Sequence, residues 1–281
     1  MASGENPNPL CIIPVFVRTD EHVAYLKTCL DTLRDPTKTA TKVDILMVDD
    51  KSPHPSAKKV IEELAKEYRA DVAWKKTNTG FSQTVNVGIK RAHEARAVAV
   101  LVNLDMEFVQ KDWLQIALDD PGDLIGGRLL YPNLLIQHGG VFFSRLYRWF
   151  DHKFRMAPMN LPEANVRCEC PVTGALHIIK PHVMDEIGYY DEGFKLAYED
   201  VDYCLRAYFA GLKVVYNPKV VAIHHESIIR GGKSATEKTN RWYTESWQRI
   251  TEKYAGVDMN PFLLPLDRRR PDGKIPGPTE E

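Results

Sequence analysis

The chain has 281 residues, 44% of them hydrophobic, with 37 Lys and Arg against 38 Asp and Glu. That length and apolar content suit one large α/β domain with a sizeable core, and a formal net charge of −1 excludes a global field drawing the protein to nucleic acid or anionic lipid. The longest apolar stretches, such as Ala97 to Val102, fall far short of the roughly 20 residues that span a bilayer, and the polar start MASGENPNP has no signal-peptide core; a cytoplasmic protein without a transmembrane segment is expected. The cysteines Cys11, Cys29, Cys168, Cys170 and Cys204 are odd in number and sit mostly inside apolar segments, which reads as reduced thiols, and Cys168-Glu169-Cys170 alone is too little for a zinc site.

Short β-branched runs at Leu10 to Val17, Val43 to Val48 and Val98 to Val102, with a shorter one at Val72 to Trp74, have the character of strands buried in a parallel sheet. Helices separate them. Glu21 to Leu33 places Val23, Leu26, Leu30 and Leu33 on one face, Ser56 to Tyr68 does the same with Val60, Leu64 and Ala65, and Ser82 to Ala95 makes a third helix. This alternation predicts a right-handed, Rossmann-like doubly wound sheet with its ligand crevice at the carboxyl ends of the strands. In the second half, Ile136 to Phe143 and Thr173 to Ile179 are separated by turn-forming segments rather than long helices, so a mixed sheet with inserted loops is expected. Glu199 to Ala210 reads as a helix ended by Gly211, followed by strands at Lys213 to Tyr216 and Val220 to Ile223 around a turn at Pro218, and then a helix over Thr236 to Tyr254. Residues 1–255 are expected to form the single domain. Residues 256–281, rich in Pro and Gly and carrying Arg268-Arg269-Arg270, are expected to be a surface-wrapping or disordered tail.

The strand ends carry the candidate chemistry. Pro14, Val15 and Phe16 leave an open backbone edge beside Asp49 and Asp50, where a carboxylate can accept the imide N–H of a pyrimidine; for either Asp alone, a helix cap is the alternative. Asn103, Asp105 and Glu107 aim the same way if their strand continues, and oxygen ligands at that spacing suit Mg²⁺ or Mn²⁺ bridged to phosphates. Small residues at Thr173-Gly174-Ala175 either let backbone N–H groups approach a ligand or simply make a tight turn. Tyr198-Glu199-Asp200-Val201-Asp202 opens a helix, where acids complement the dipole or supply a general base. His224-His225-Glu226 ends an apolar strand, and a His there can complete a metal shell.

In this order these stations resemble glycosyltransferase family 2, with its GT-A fold, over roughly residues 10 to 230, and most of all its rhamnosyltransferase-like and galactofuranosyltransferase-like branch. The resemblance implies that Pro14, Val15, Phe16 and Asp50 hold the nucleotide base, and that Asn78-Thr79-Gly80-Phe81 is the turn beside ribose and diphosphate, with Asn86 further along its helix. Asn103-Leu104-Asp105 matches the D-x-D motif with Asn in place of the first acid, leaving Asp105 as the metal ligand. Thr173, Gly174 and Ala175 then line the sugar and acceptor pocket with Glu199, Gly188 to Phe194 forms the turn before the catalytic motif, and Asp200 is the base. His224 stands at the spacing from Asp200 at which galactofuranosyl-transferring relatives place a metal-binding His.

The implied reaction is an inverting, Mn²⁺- or Mg²⁺-dependent transfer from a nucleoside-diphosphate sugar, UDP or dTDP favoured, to a glycan, lipid-linked, protein or modified-base hydroxyl. Aromatic residues from Phe142 to Phe154, with Tyr147, Trp149 and Phe150, suit an acceptor platform or a subunit interface. Lys233, Lys238, Arg241 and Arg268 to Arg270 lend local charge to a modified-base acceptor, against the neutral overall balance. A nucleotidyltransferase is the rival enzyme, but residues 10 to 20 hold no glycine for its phosphate loop; a catalytically inactive binding module is the rival outside enzymes.

Overall fold

A computed structural model describes residues 7–144, 149–225 and 237–264. Tyr147, Glu226, Lys233, Arg268 to Arg270 and the tail from 265 lie outside the described residues.

The first half alternates as its periodicity predicts: β1 (Leu10–Val15), α1 (Asp20–Arg34), β2 (Asp44–Asp49), α2 (Ala57–Tyr68), β3 (Asp71–Trp74), α3 (Phe81–Glu94) and β4 (Ala99–Val102). The Thr19 side chain caps α1 by accepting from the His22 N–H, and Asp20 and Glu21 fill its first turn. Then come β5 (Met106–Phe108), α4 (Trp113–Leu118), β6 (Leu124–Leu130), β7 (Ile136–His138), β8 (Val141–Ser144), β9 (Trp149–His152), β10 (Cys168–Glu169) and β11 (Leu176–Ile179). The remainder is α5 (Pro181–Ile187), α6 (Glu199–Phe209), β12 (Val214–His224) and α7 (Glu237–Lys253).

One 10-stranded sheet runs β10-β12-β6-β11-β4-β1-β2-β3, with β5 added on β12 and β7 on β6. Strands β3, β2, β1 and β4 pair in parallel, whereas β11 enters antiparallel between β4 and β6, which makes the sheet mixed as expected. Helices cover both faces: α1 and α2 pack over Ile13, Val15 and Met47, while α3, α5 and α6 pack over Ile12, Leu46 and Leu101. Gly88 lets α3 lie directly on β1, since a β-carbon there would stand 2.4 Å from Ile12 Cγ2.

Three expectations change. The two strands expected around Pro218 are one, β12, although its pairing with β6 skips from Asn217 to Val221 and the chain bulges out at residues 218–220, where Lys219 N donates to Asn217 Oδ1 at 3.0 Å. The run from Ile136 to Phe143 splits at Gly139-Gly140, Gly140 having φ 101°, so that β7 joins the main sheet and β8 pairs with β9 in a separate hairpin. The compact unit also continues past residue 255, because Met259, Phe262 and Leu263 are buried, the first two in a small third core with Phe194, Tyr198 and Ile250.

Helix α7 buries only Ser246 and Ile250 and is held largely by charge. Arg249 and Lys253 pair with Asp191 at 2.7 and 2.9 Å, and Lys253 also reaches Asp202 at 2.7 Å. Burial would raise the Asp191 carboxyl, but hydrogen bonds from Arg249 and Lys253 outweigh it and hold the group well below the usual range. A carboxylate depressed in the folded state stabilises above its unfolded pKa of about 3.9 and loses that contribution as pH falls through the lowered value. Hydrogen exchange should therefore show α7 opening below about pH 4 while the sheet stays protected, and Asp191→Asn should open it already at pH 7.

Candidate active site

A cleft of about 420 Å³ opens at the carboxyl ends of β1, β2 and β4, where a doubly wound sheet binds its ligand. Pro14, Val15, Phe16, Asp50, Asn78, Gly80, Phe81, Asn103, Asp105, Thr173, Ala175 and His224 all border it. Arg18, Lys51, Lys195 and Lys238 border it too, an excess of positive charge over Asp50 and Asp105 that suits an anionic ligand.

Asp50 is 6% exposed and its oxygens accept from Lys75 Nζ at 2.6 Å, Thr79 N at 3.0 Å and Gly80 N at 3.0 Å. The carboxylate therefore ties the loop carrying Asn78 and Gly80 to the end of β2, and a base would be a further partner rather than its first. Gly80 has φ 95° and a β-carbon there would meet the Lys195 carbonyl at 2.4 Å, so only glycine lets this loop pass. The Phe81 N–H donates to the same carbonyl at 3.1 Å, which leaves the cationic side chains rather than these loop amides to meet a phosphate.

Beyond β4 the expected continuous strand ends at Asn103. The Met106 N–H bonds back to the Asn103 carbonyl at 3.2 Å and β5 turns to pair antiparallel with β12. Asn103 and Asp105 consequently border the cleft, whereas Glu107 is drawn away onto His225 at 3.0 Å. His224 Nε2 stands 3.2 Å from Asp105 Oδ1 and 3.5 Å from Asn103 Nδ2. Gln137 grips the histidine from behind: its Nε2 donates to the His224 carbonyl at 3.2 Å, and its Oε1 lies 2.7 Å from His224 Nδ1. That amide orientation puts the imidazole proton on Nδ1 and leaves the Nε2 lone pair facing a carboxylate. Two electron-pair donors so placed call for a positive charge between them, a proton or a metal ion. Adjacent ligands of an octahedral ion with bonds of roughly 2.1 Å stand about 3 Å apart, so the pair fits a divalent cation. Among the described residues no three His, Cys, Asp or Glu side chains gather as a metal site, and the remaining ligands would come from elsewhere.

Asp200 opens α6 behind Thr173 and Ala175 and is 9% exposed. Its carboxylate accepts from Gly174 N at 2.8 Å and Val201 N at 2.8 Å. A β-carbon on Gly174 would stand 3.0 Å from Asp200 Cβ, so the Gly174 amide, not a side chain, meets the acid. Glu199, expected in the sugar pocket, is instead 1% exposed and turned into the protein, because successive residues of a helix's first turn cannot share one face. Trp149 does not border the cleft either. It lies in a neighbouring groove of about 550 Å³ with Phe143, Phe150, Tyr198, Trp247 and Tyr254, since β9 pairs with β8 and runs alongside α7. His138, Gln137 and His152 were not singled out from sequence. His138 Nδ1 lies 2.6 Å from His152 Nδ1, its Nε2 accepts from the Thr173 N–H at 3.4 Å, and burial, then the neighbouring His152, push its pKa well down. The only local signal was the Gln-His pair before Gly139-Gly140.

Residues 10–120 match the family described as glycosyl transferase family 2. Over that stretch the chain is similar to family 2 glycosyltransferases. It is 27% identical over 270 residues to the O-antigen biosynthesis protein RfbC of Myxococcus xanthus, and 26% identical over 271 residues to the uncharacterized protein y4gI of Sinorhizobium fredii (strain NBRC 101917 / NGR234). These alignments cover 92% and 90% of the chain but only 20% and 29% of those longer relatives. In three dimensions it is similar to GalNAc-T7 in complex with UDP, GalNAc and Mn²⁺, with TM-score 0.62, 17% identity and coverage of 88% of this chain and 48% of that one. It is also similar to the mannosyltransferase PcManGT from Pyrobaculum calidifontis in complex with GDP-Man and Mn²⁺, with TM-score 0.57, 13% identity and coverage of 92% and 78%. The fold is thus the GT-A fold. No described helix is long and apolar enough to cross a membrane.

Replacing Asp50 by Ala would leave Lys75, whose side chain is 14% exposed, without its charge partner and would free the Thr79 and Gly80 amides. A loss of about 3 kcal/mol or more in urea unfolding is expected, with a smaller loss for Asp50→Asn, which keeps the acceptor on one side.

Proposed function

We propose that this domain transfers a sugar, with inversion, from a UDP- or dTDP-sugar to a hydroxyl of a saccharide acceptor, with Asp200 as general base and Asp105 and His224 as the protein's ligands to Mn²⁺ or Mg²⁺. The facing of His224 Nε2 and Asp105 Oδ1 at 3.2 Å inside a cation-lined cleft carries this reading. A bound divalent cation would neutralise charge building on the leaving diphosphate.

The other steps belong to the chain's own side chains. Pro14 to Phe16 and Asp50 border the end of the cleft where a base edge would lie, and Asn78 with Gly80 would flank the ribose. Arg18, Lys51, Lys195 and Lys238 would hold the diphosphate. The Gly174 and Val201 amides orient the Asp200 carboxylate, which would accept the acceptor hydroxyl's proton as its oxygen attacks the anomeric carbon opposite the diphosphate. The saccharide acceptor follows from likeness to an O-antigen biosynthesis protein and from the aromatic groove at Trp149 and Trp247, which shares β9 and α7 with the cleft. The described cysteines are all free, in keeping with a cytoplasmic place of action. We assign the transferase to residues 1–255 together with the packed stretch to Leu263, and read the rest as an extension.

Calorimetric titration with UDP, dTDP and GDP, each with Mn²⁺, Mg²⁺ or EDTA, should show one pyrimidine diphosphate binding with metal and not with EDTA. Metal-independent binding would remove Asp105 and His224 from the site, and no binding of any nucleotide would favour an inactive module. Asp200→Asn should keep diphosphate binding and lower turnover by about 10²–10⁴-fold. Near-full activity in that variant would refute the base assignment.

A further inference from the structure

Cys168 and Cys170 differ from the other thiols of the chain. They flank Glu169 where β10 pairs with the start of β12, and because alternate residues of an extended strand share a side, their sulfurs lie 3.6 Å apart. Cys11, Cys29 and Cys204 are buried, and burial pushes all three thiols up, which makes them inert. Cys168 is only half-buried, and the hydrogen bond from Cys170, then the charges of Lys153 and Arg167, overcome burial and pull its thiol down. Cys170 moves the opposite way, through the same hydrogen bond and its burial. Arg167 is fixed by Asp120 at 2.8 and 3.0 Å, and Lys153 is anchored at its backbone, whose N–H donates to the carbonyl of Gly140 at 2.8 Å, the residue beside which Cys170 Sγ lies.

We propose that Cys168 and Cys170 form a redox-active dithiol, with Cys168 as the attacking sulfur, Cys170 as the resolving sulfur and a hydroperoxide as the oxidant. The Cys168 thiolate attacks one peroxide oxygen, the O–O bond breaks, and the departing hydroxide takes a proton to become water, leaving a sulfenic acid. The Cys170 sulfur then attacks the Cys168 sulfur, the S–O bond breaks, and the thiol proton leaves with that hydroxide as a second water while the S–S bond forms. Two thiols lose two electrons in all, and hydrogen peroxide is reduced to two waters.

Closing this bridge bends the strand. Alternate α-carbons of an extended chain stand about 6.6 Å apart, at the upper edge of the roughly 4.4–6.8 Å that disulfides span. The bend falls just before the cleft, since Cys170 N bonds to Val214 O at 3.1 Å, Pro171 O accepts from Val141 N at 2.8 Å, and Gly174 N holds Asp200. Oxidation would thereby pull on the segment that orients the base, and a bridge closed under strain reopens readily in a dithiol reductant.

The test uses the full chain, reduced and then exposed to hydrogen peroxide, with thiols trapped by iodoacetamide and mapped by mass spectrometry. Before oxidation Cys168 should alkylate at least about tenfold faster than Cys204 at neutral pH. Peroxide should give a peptide bridged between Cys168 and Cys170 that dithiothreitol restores, together with faster hydrogen exchange over residues 172–176. Cys170→Ser should stop at a sulfenic acid that dimedone traps, and Cys168→Ser should leave Cys170 unmodified. Equal alkylation of Cys168 and Cys204, or sulfinic acid in place of a bridge in the unsubstituted chain, would overturn the proposal. None of these readings depends on glycosyl transfer.

Discussion

The N–H of Asn103 donates to the carbonyl of Ala175 at 3.0 Å, and the two halves of the cleft meet at that bond. On one side the chain leaves β4 and delivers Asp105 to His224; on the other it leaves Gly174, whose own N–H holds Asp200. The bond exists because β11 runs antiparallel to β4, with Leu176 opposite Val102, so the segment before β11 crosses directly over the end of β4. The Asp105–His224 pair at the cleft and Asp200, held behind its wall by the Gly174 amide, are thereby brought close together by that crossing. Side chains refine that placement without creating it.

The electrostatics of the cleft divide into charges spent on structure and charges left for a ligand. Asp50 and Lys75 neutralise each other while tying down the loop at Asn78 to Gly80. Gln137 spends its whole amide on His224, which sets the tautomer and points the Nε2 lone pair at Asp105. A partner on Nδ1 fixes the orientation of the ring. The positive residues around the rim have looser ties: Lys195 and Lys238 each reach one neighbouring oxygen, at 2.8 and 3.0 Å.

How much of this was legible depended on whether the signal was local. The helices α1, α2 and α3 repeat their apolar residues at helical spacing, and β1, β2 and β4 are unbroken apolar runs, so each shows within a dozen residues and each fell within about two residues of its place. Asp105, Asp200 and His224 stand out in the sequence because each lies at or just beyond the end of an apolar or helical run. The role of Gln137 was hidden, since its partner His224 is distant in sequence and nothing in a Gln-His pair announces a clamp. That Trp149 lies in the neighbouring groove rather than the cleft was hidden, because aromatic content says nothing about which hairpin a strand joins. Pro218 does interrupt the pairing with β6, but that β12 continues as one strand on either side of it is settled by the partner strand rather than by the strand itself.

Helix α7 forms part of the cleft wall through Lys238, Thr239 and Trp242, yet it is fastened to the body by Arg249 and Lys253 more than by its apolar residues. Because the side chains of Asp191 and Asp202 are only 19% and 0% exposed, dissolved salt screens these pairs little, and the fastening depends instead on both acids staying ionised. One wall of the crevice is accordingly secured by ionised groups and the sheet opposite by apolar packing, so the two answer to different properties of the medium.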